Sequence, residues 1–351
     1  MRNKNISYEI IRTVTAITIA LLISFIIIFA VSNQPGEAIH IFLTGPFKSM
    51  RHFGNVIEMM IPLVFTGLAV SIMFQANEFN LGSEGTFYIG AVAATFIAIN
   101  ITLPAGVHPA VAILFGGLVG AVVGAIPAIL KTVFGATELV SSLMLNYICL
   151  FFGTYLINNF MRDTSAGSMV SHEFQATAIL GKILQPTRLH IGLILAVLAV
   201  IFCYLFLYKS KLGYAIRMTG QNPKFAKYSG INTVKVLIMA QIIGGFIAGI
   251  GGATEMLGMY TRFGWQQLPG YGWDAIIVAA LARNNPILVP ISAFFLSFLR
   301  VGADMMARGS DVQAEVIAII QGVMILLIAA ERFLAHWKHK KIYKDATKGE
   351  K

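Results

Sequence analysis

The sequence predicts an all-α protein that crosses a membrane about ten times. Three observations support this. Of its 351 residues, 57% are hydrophobic and 12% are charged, about half the ~25% charged residues of a soluble domain. Nine stretches approach or exceed the ~20 mostly apolar residues that a spanning helix needs. The basic residues lie in short segments between these stretches, as topology determinants do. This composition excludes a disordered chain and argues against an ordinary soluble enzyme.

The apolar stretches give nine predicted spans and one shorter element. The tenth stretch, WDAIIVAALA at 273–282, has only ten residues and is either a half-helix or the start of a broken span. The nine long stretches are 13–31, 56–74, 86–103, 110–130, 139–158, 190–208, 236–258, 287–305 and 314–331.

The charge distribution favours ten crossings with both ends inside. If the short stretch crosses, the inside segments hold 18 Lys and Arg and the outside segments hold 7. If it does not cross, the basic tail 332–351 and the basic loop 209–235 fall on opposite sides, which the positive-inside bias disfavours. The first span, 13–31, is longer than the ~7–15-residue core of a signal peptide, so we expect an uncleaved helix.

Small residues at four-residue spacing predict close helix packing. Gly116, Gly120 and Gly124 follow this spacing, as do Gly245 and Gly249. Such positions let helix backbones approach closely in lipid.

The sequence contains none of the common catalytic or metal-binding motifs. The chain lacks the G-x-x-x-x-G-K-[ST] loop that cradles nucleotide phosphates, the H-E-x-x-H zinc motif and the G-x-S-x-G nucleophile elbow. No basic run alternates with exposed aromatics, so nucleic acid is not an expected partner. The two cysteines, Cys149 and Cys203, lie in apolar stretches and do not indicate a disulfide.

The polar segment 77–90 lies between two spans and has two interpretations. As a cytoplasmic turn, it would place Asn80 or Ser83 at the N-cap of the next helix and Glu84 near the positive end of that helix. As a broken element that enters the protein, it would lie beside a transported solute. Spacing alone favours the turn.

The loop 209–235 contains a short predicted helix. Asn222 suits its N-cap, Pro223 its first turn and Gly230 its C-terminal stop. A two-turn helix is marginal in water, so it needs a surface to pack on. It packs either on neighbouring helix ends, with its lysines near anionic lipid, or on a cytoplasmic partner through aromatic anchors. The anchors would be Phe225 and Tyr228.

The segment 270–286 surrounds the short apolar stretch. In the simpler interpretation, Trp273 is a membrane-interface anchor and Asp274 an acid at a helix start. In the functional interpretation, the segment is a half-helix whose N-terminus faces a solute pathway.

Polar side chains inside other predicted spans are functional candidates, because charge is costly in lipid. Arg300 and Asp304 are four residues apart and can pair on one helix face. Glu255 and Asn146 also lie within spans. Asn146 can hydrogen-bond across helices or contact a polar solute.

Five segments, in this order, resemble the permease subunits of bacterial ABC importers in the branched-chain amino acid and simple-sugar permease superfamily. The resemblance covers most of the chain from about 55 to 331 and is greatest for the nucleoside branch, which basic-membrane-protein-type lipoproteins serve. The segments are FNLGSEGTFYIGA at 79–91, ATELVSSLMLNYI at 136–148, LGYAIRMTGQNPKFAKYSGIN at 212–232, GGFIAGIGGATEMLG at 244–258 and GYGWDAIIVAALARNNP at 270–286.

The resemblance implies a type II importer fold, like that of the vitamin-B12 importer permeases, with about ten helices. The chain would be one transmembrane permease domain, 1–351, with a membrane core at 13–331, a cytoplasmic coupling loop at 209–235 and a basic cytoplasmic tail at 332–351. It would lie in the bacterial cytoplasmic membrane with both termini cytoplasmic.

The resemblance also implies partners. These are a second permease subunit, commonly a different chain, a separate cytoplasmic ABC ATPase and an extracytoplasmic substrate-binding lipoprotein. ATP and Mg would bind the ATPase, so no cofactor is expected on this chain.

Two groups of site residues follow from the resemblance. The helix at 222–230 matches the family's coupling element, with Asn222, Pro223, Phe225, Ala226, Tyr228 and Gly230 as its residues. Because a nucleoside is neutral, hydrogen bonds and aromatic faces would line the translocation path. The expected lining is Asn77, Asn80, Glu84, Asn146, Trp273 and Asp274.

The expected function is ATP-driven import of nucleosides. The first alternative is an ABC permease for a simple sugar such as ribose. The second is a secondary transporter driven by an ion gradient, in which Glu255 or Asp304 would bind the ion. A membrane enzyme finds no support among the motifs.

Overall fold

Every regular element in the described part of the chain is helical, as the apolar pattern predicts. The computed structural model describes residues 22–23, 25–30, 32–312, 319 and 322–323. The predicted spans 13–31 and 314–331 lie partly outside these residues. The basic tail 332–351 and both chain ends lie wholly outside them.

Eleven helices have defined bounds within that part of the chain. They are α1 Pro35–Thr44, α2 Met50–Gln75, α3 Ser83–Asn100, α4 Val107–Phe134, α5 Glu138–Leu156, α6 Gly192–Lys209, α7 Lys211–Gln221, α8 Pro223–Tyr228, α9 Thr233–Met259, α10 Tyr271–Leu281 and α11 Val289–Gly309.

The prediction of a polytopic helical membrane protein is confirmed. Six of these helices are long and apolar enough to cross a membrane: α2, α4, α5 with its extension to Met161, α6, α9 and α11. Helix α10 is apolar but has only 11 residues, as the short stretch at 273–282 predicts. It ends where Arg283 and Asn284 adopt positive φ, so the Arg-Asn-Asn-Pro sequence breaks the helix.

Helices α3, α4 and α9 pack through facing glycines, which confirms the close packing that the small-residue spacing predicts. An ideal Cβ on Gly120 would lie 2.9 Å from Gly249 Cα, and one on Gly124 would lie 2.9 Å from Gly245 Cα. Any side chain there would force the backbones apart. Because lipid provides little hydrophobic drive between helices, this close approach supplies van der Waals contact instead.

The described residues form two compact units: those of 53–297, and those of 1–52 together with those of 298–351. In the second unit, Asp311 links distant segments: its carboxylate accepts hydrogen bonds from Ser32 Oγ and Asn33 N, both at 2.6 Å. Gly302 packs against the Phe42 carbonyl, so α11 lies directly on α1.

An irregular segment connects α5 to α6 in the first unit. Its apolar residues Phe174, Ala178 and Leu180 are buried in the core formed with α3 and α9. Its outer edge is held by Arg262, which pairs with Asp163 at 2.6 Å and with Glu173 at 2.9 Å.

Candidate functional site

Helix α8 exposes almost its whole surface. Its N-cap is Asn222, whose side chain accepts a hydrogen bond from Phe225 N at 3.0 Å. Ala226 is its only buried residue, whereas Phe225 is 53% exposed and Tyr228 is 91% exposed. The predicted cap and helix are confirmed, and the aromatic side chains face outward.

The end of α8 has the features that the sequence indicates. Gly230 adopts φ +82°, the left-handed conformation that glycine tolerates, and Ile231 N donates to Ala226 O at 3.0 Å. Asn232 then caps α9 by accepting from Lys235 N at 3.0 Å. Caps at both ends fix a helix that would be marginal in isolation.

Helix α7 supports this exposed element. Its Arg217 Nε donates to Leu207 O at 3.0 Å, and its guanidinium lies 4.9 Å from the centre of the Tyr208 ring. Gly220 lies directly against the Gln75 carbonyl at the end of α2. A movement of α7 would therefore be transmitted to both α6 and α2. We call the exposed residues Phe225 and Tyr228 on α8, with Tyr214 on α7, the α8 surface.

A second feature lies deep in the protein, where the N-termini of α3 and α10 meet. The Glu84 carboxylate accepts hydrogen bonds from Gly270 N at 2.6 Å and from Gly272 N. A Cβ on Gly272 would overlap the Glu84 backbone, so only glycine permits this approach. The acid stabilises the positive end of α10, a helix 186 residues further along the chain.

Two asparagines hold the turn before α3. Asn80 Nδ2 donates to Gln241 Oε1 on α9, and its Oδ1 accepts from Gly82 N at 2.5 Å. Asn146 on α5 accepts from Gly85 N at 2.8 Å and donates to Leu81 O at 2.9 Å. We call Glu84, Asn80 and Asn146, with the backbone groups they bind, the Glu84 junction.

The chain turns between α2 and α3, as the sequence predicts, and α3 is unbroken from Ser83 onward. The turn is more buried than a simple exposed loop, because Asn80, Ser83 and Glu84 are buried. The expectation that Asn80 or Ser83 caps α3 is wrong. The N-cap is Gly82 and makes no side-chain cap bond, because Asn80 binds Gln241 and the Gly82 amide instead.

Of the other expected path residues, Asn77 lies apart, whereas Trp273 and Asp274 lie beside Glu84 at the start of α10. Asn77 is exposed with φ +60°, in the left-handed conformation that often ends a helix. Trp273 is partly exposed in the first turn of α10, and Asp274 beside it is buried. Asn80, Glu84 and Asn146 share one hydrogen-bonded site, and the Trp273 backbone amide also faces the Glu84 carboxylate.

An ion-pair cluster closes the loop between α2 and α3. Lys131 pairs with Glu78 at 2.7 Å and with Glu138 at 2.6 Å. Burial raises the pKa of Glu78 above its ordinary value although Lys131 opposes this shift. The cluster links this loop to α4 and α5.

Sequence reasoning overlooked one buried acid. Glu58 lies within the predicted span 56–74, and the structure buries it in α2. An acid inside a span is itself a signal. Glu255, which the sequence does single out, is buried in α9. Among the described residues, no three His, Cys, Asp or Glu side chains form a group that could hold a metal ion.

The chain is similar to known transport proteins over most of its length. Residues 53–329 match the family model described as branched-chain amino acid transport system / permease component. The guanosine ABC transporter permease protein NupP of Bacillus subtilis is 32% identical over 289 residues, which cover 82% of this chain and 83% of the relative.

Two further relatives differ in the solute that their names give. The nucleoside ABC transporter permease protein NupB of Lactococcus lactis is 28% identical, covering 94% of this chain and 93% of the relative. The glucose ABC transporter permease protein TsgB13 of Haloferax volcanii is 29% identical, covering 93% and 88%. Among solved structures, PsaBC from Streptococcus pneumoniae in complex with Fab has a TM-score of 0.48 at 15% identity, covering 83% of this chain and 95% of that chain.

Proposed function

Because the chain belongs to the branched-chain amino acid transport system / permease component family, we propose that it forms the translocation path for nucleosides in an ATP-driven importer. A member of this family is a transporter subunit and not a catalyst. ATP and Mg would bind a separate cytoplasmic ABC ATPase.

The observation that carries the proposal is the α8 surface. A permease without its own ATPase needs a rigid element through which the ATPase moves it. Helix α8 is capped at both ends, buries only Ala226 and exposes Phe225 and Tyr228. Aromatic side chains of this kind are frequent hot spots of protein interfaces. We therefore propose that 222–230 docks on the ATPase and that α7 transmits its movement to α2 and α6.

The remaining architecture follows from the family and from the charge distribution. We propose about ten crossings, a type II importer fold and both termini in the cytoplasm, which the 18 to 7 distribution of basic residues supports. A second permease subunit, commonly a different chain, would share the central path. An extracytoplasmic lipoprotein would deliver the solute, and the location would be the bacterial cytoplasmic membrane.

The expected path residues divide into two groups in this proposal. Asn80, Glu84 and Asn146 would shape the path, since their polar atoms bind backbone groups and Gln241. Asn77, Trp273 and Asp274 remain candidates for direct contact with the solute.

A simple sugar is the second candidate solute, because the Haloferax volcanii relative is named for glucose. The guanosine and nucleoside permeases favour a nucleoside. The ion-driven alternative is not retained, since relatives across the whole chain are subunits of ABC transporters.

Uptake by the complete importer in proteoliposomes tests the function. The chain, its ATPase, the second permease and the lipoprotein would be reconstituted, and uptake of labelled uridine measured with ATP maintained and a protonophore present. We expect uptake that requires ATP, survives the protonophore and is blocked by unlabelled nucleosides only. Competition by ribose or glucose would assign a sugar as the solute. Loss of uptake with the protonophore would contradict ATP coupling.

A further inference from the structure

Three polar side chains near the C-terminal end of α9 are buried without completing their hydrogen bonds. Glu255 is 1% exposed, and neither carboxylate oxygen has a hydrogen-bond partner among the described residues. Thr254 Oγ1 and His190 Nε2 are also buried and, within the same part of the chain, unpartnered. Buried polar groups are nearly always hydrogen-bonded, so three neighbouring exceptions require a partner that the described chain does not supply, such as water or a polar ligand.

The segment 187–192 brings these groups together. A Cβ on Gly258 would overlap the His190 ring, and one on Gly192 would lie 2.6 Å from Thr254 Cγ2. His190 Nδ1 accepts a hydrogen bond from Gly192 N at 3.1 Å. From this bond we assign the hydrogen of the neutral ring to Nε2, which makes that atom a donor.

A second acid faces the same place from α2. Glu58 lies close enough to Glu255 for the two carboxylates to repel each other, and Arg188 attracts Glu58. The Tyr271 hydroxyl at the start of α10 is a further polar neighbour of Glu255. Two carboxylates therefore present acceptor oxygens from two different helices.

Aromatic rings adjoin the acids. Trp265 stacks on Phe87, with ring centres 5.9 Å apart and planes 16° apart, and meets the edge of Tyr260 at 5.6 Å. Tyr260 lies within electrostatic range of both acids. The Phe87 ring also lies 5.4 Å from Tyr271. A flat apolar surface and a pair of acceptors thus lie side by side.

We propose that these residues bind the solute as a nucleoside, and we call Glu58, Glu255, His190, Tyr260 and Trp265 the acid–aromatic site. The carboxylates of Glu58 and Glu255 accept hydrogen bonds from the 2′ and 3′ hydroxyls of the ribose. His190 Nε2 donates to an oxygen of the sugar. The base contacts the rings of Trp265 and Tyr260, since every base offers a π-face.

The burial of the acids also defines which solutes are excluded. A phosphate group would bring a further charge into a site whose acids are already buried, and the cost of desolvating that charge favours the nucleoside over the nucleotide. Hydroxyl donors match the carboxylate acceptors, and a site built for hydroxyls rejects an analogue that lacks them because its buried acceptors stay unpaired. This inference rests on the proposed nucleoside importer.

The test compares uridine with 2′,3′-dideoxyuridine in proteoliposomes that contain the complete importer. We expect the wild type to take up uridine at least about tenfold faster than the analogue. In Glu255→Gln, we expect uridine uptake to fall about tenfold, because an NH₂ donor replaces one carboxylate oxygen that accepts a hydrogen bond. The ratio of uridine uptake to analogue uptake should then approach one. Asp304→Asn is the control, since this carboxylate is exposed on α11, and it keeps the wild-type preference.

The possible outcomes distinguish failure of the acid–aromatic site from failure of the proposed nucleoside import. If Glu255→Gln does not assemble, Glu58→Gln provides the same readout in the second acid. A loss of uptake with the wild-type preference retained means a structural role for the acids and overturns the site. A wild type that carries glucose but not uridine overturns both the nucleoside function and the site. A wild type that carries uridine, with variants that behave identically to it, overturns the site alone.

Discussion

The side chains of the α8 surface and of the Glu84 junction differ in where they make their contacts. On α8, Phe225 and Tyr228 are exposed, and only Ala226 is buried. At the junction, Glu84, Asn80 and Asn146 are buried, and their side chains bind neighbouring backbone groups or Gln241.

This difference separates structural from functional roles. A side chain whose polar atoms are all used inside the protein contributes to the fold, and replacing it leaves buried groups unpaired. A side chain that is mostly exposed contributes little to the fold, and replacing it mainly affects a partner. We therefore expect junction variants to lose stability and α8 variants to lose coupling with stability retained.

The largest expected effect is a loss of folding stability when Glu84 of the junction is replaced. Glu84→Ala leaves the amides of Gly270 and Gly272 buried without their acceptor, and we expect a loss of about 3 kcal/mol. The midpoint of thermal unfolding in detergent would fall by roughly 5–10 °C. Both cysteines are free and buried, so a dye that fluoresces on reaction with thiols reports the unfolding.

Glu84→Gln is the matched control for that variant. It keeps the shape and one acceptor oxygen, so the loss should be clearly smaller than for Ala. Equal unfolding midpoints for wild type and Glu84→Ala would show that the junction does not hold α10 in place.

The second expected effect is weaker binding of the ATPase when the α8 surface is changed. Phe225→Ala should weaken docking of the ATPase by about 2 kcal/mol, or roughly 30-fold, as loss of an aromatic hot spot does. The unfolding midpoint of the isolated permease should stay within about 1 °C of wild type, because the ring packs little within the chain. ATP-driven uptake and co-purification of the ATPase are the measurements.

Phe151→Ala is the control for this experiment. Phe151 is an exposed aromatic on α5, away from α8 in the sequence, and its removal should leave co-purification unchanged. An unchanged coupling ratio in Phe225→Ala would contradict the role of the α8 surface.

The smallest expected change in stability concerns the ion pair between Asp163 and Arg262. Hydrogen bonds from Ser165, together with the nearby Arg262, hold the pKa of Asp163 at about 2, below its ordinary value of 3.8. The folded chain therefore binds this proton less tightly than the unfolded chain. The resulting stabilisation is complete above the unfolded pKa and disappears as the pH falls from 3.8 through 2.

Asp163→Asn removes this titration. The difference in unfolding midpoint between wild type and Asp163→Asn should be small, constant from about pH 7 to 5, and should shrink below about pH 4. A difference that grows on acidification would have the wrong sign for a lowered pKa.

The α8 surface could be predicted from the sequence, whereas the Glu84 junction could not. Helix α8 follows from local rules: Asn222, Pro223 and Gly230 are close in sequence and each has a known preference at a helix end. The glycine packing of α4 and α9 follows from periodicity. Both predictions needed only residues within a few turns of one another, and the structure confirms both.

The Glu84 junction could not be predicted in this way. Glu84 meets Gly270 across 186 residues and Asn80 meets Gln241 across 161. Local rules placed Asn80 or Ser83 at a helix cap, because such rules contain no information about a distant amide. Glu58 could have been predicted, since an acid in an apolar span is visible in the sequence. That Glu58 and Glu255 are neighbours is seen only in three dimensions.

The most direct test of the account is a photo-crosslink from α8. The photoreactive amino acid p-benzoylphenylalanine would replace Tyr228 in the complete importer, with Phe151 replaced in a parallel sample. We expect position 228 to crosslink to the ATPase and position 151 not to. A crosslink from position 228 to lipid alone, in an importer that retains ATP-driven uptake, would contradict the claim that α8 is the contact through which the ATPase moves the permease.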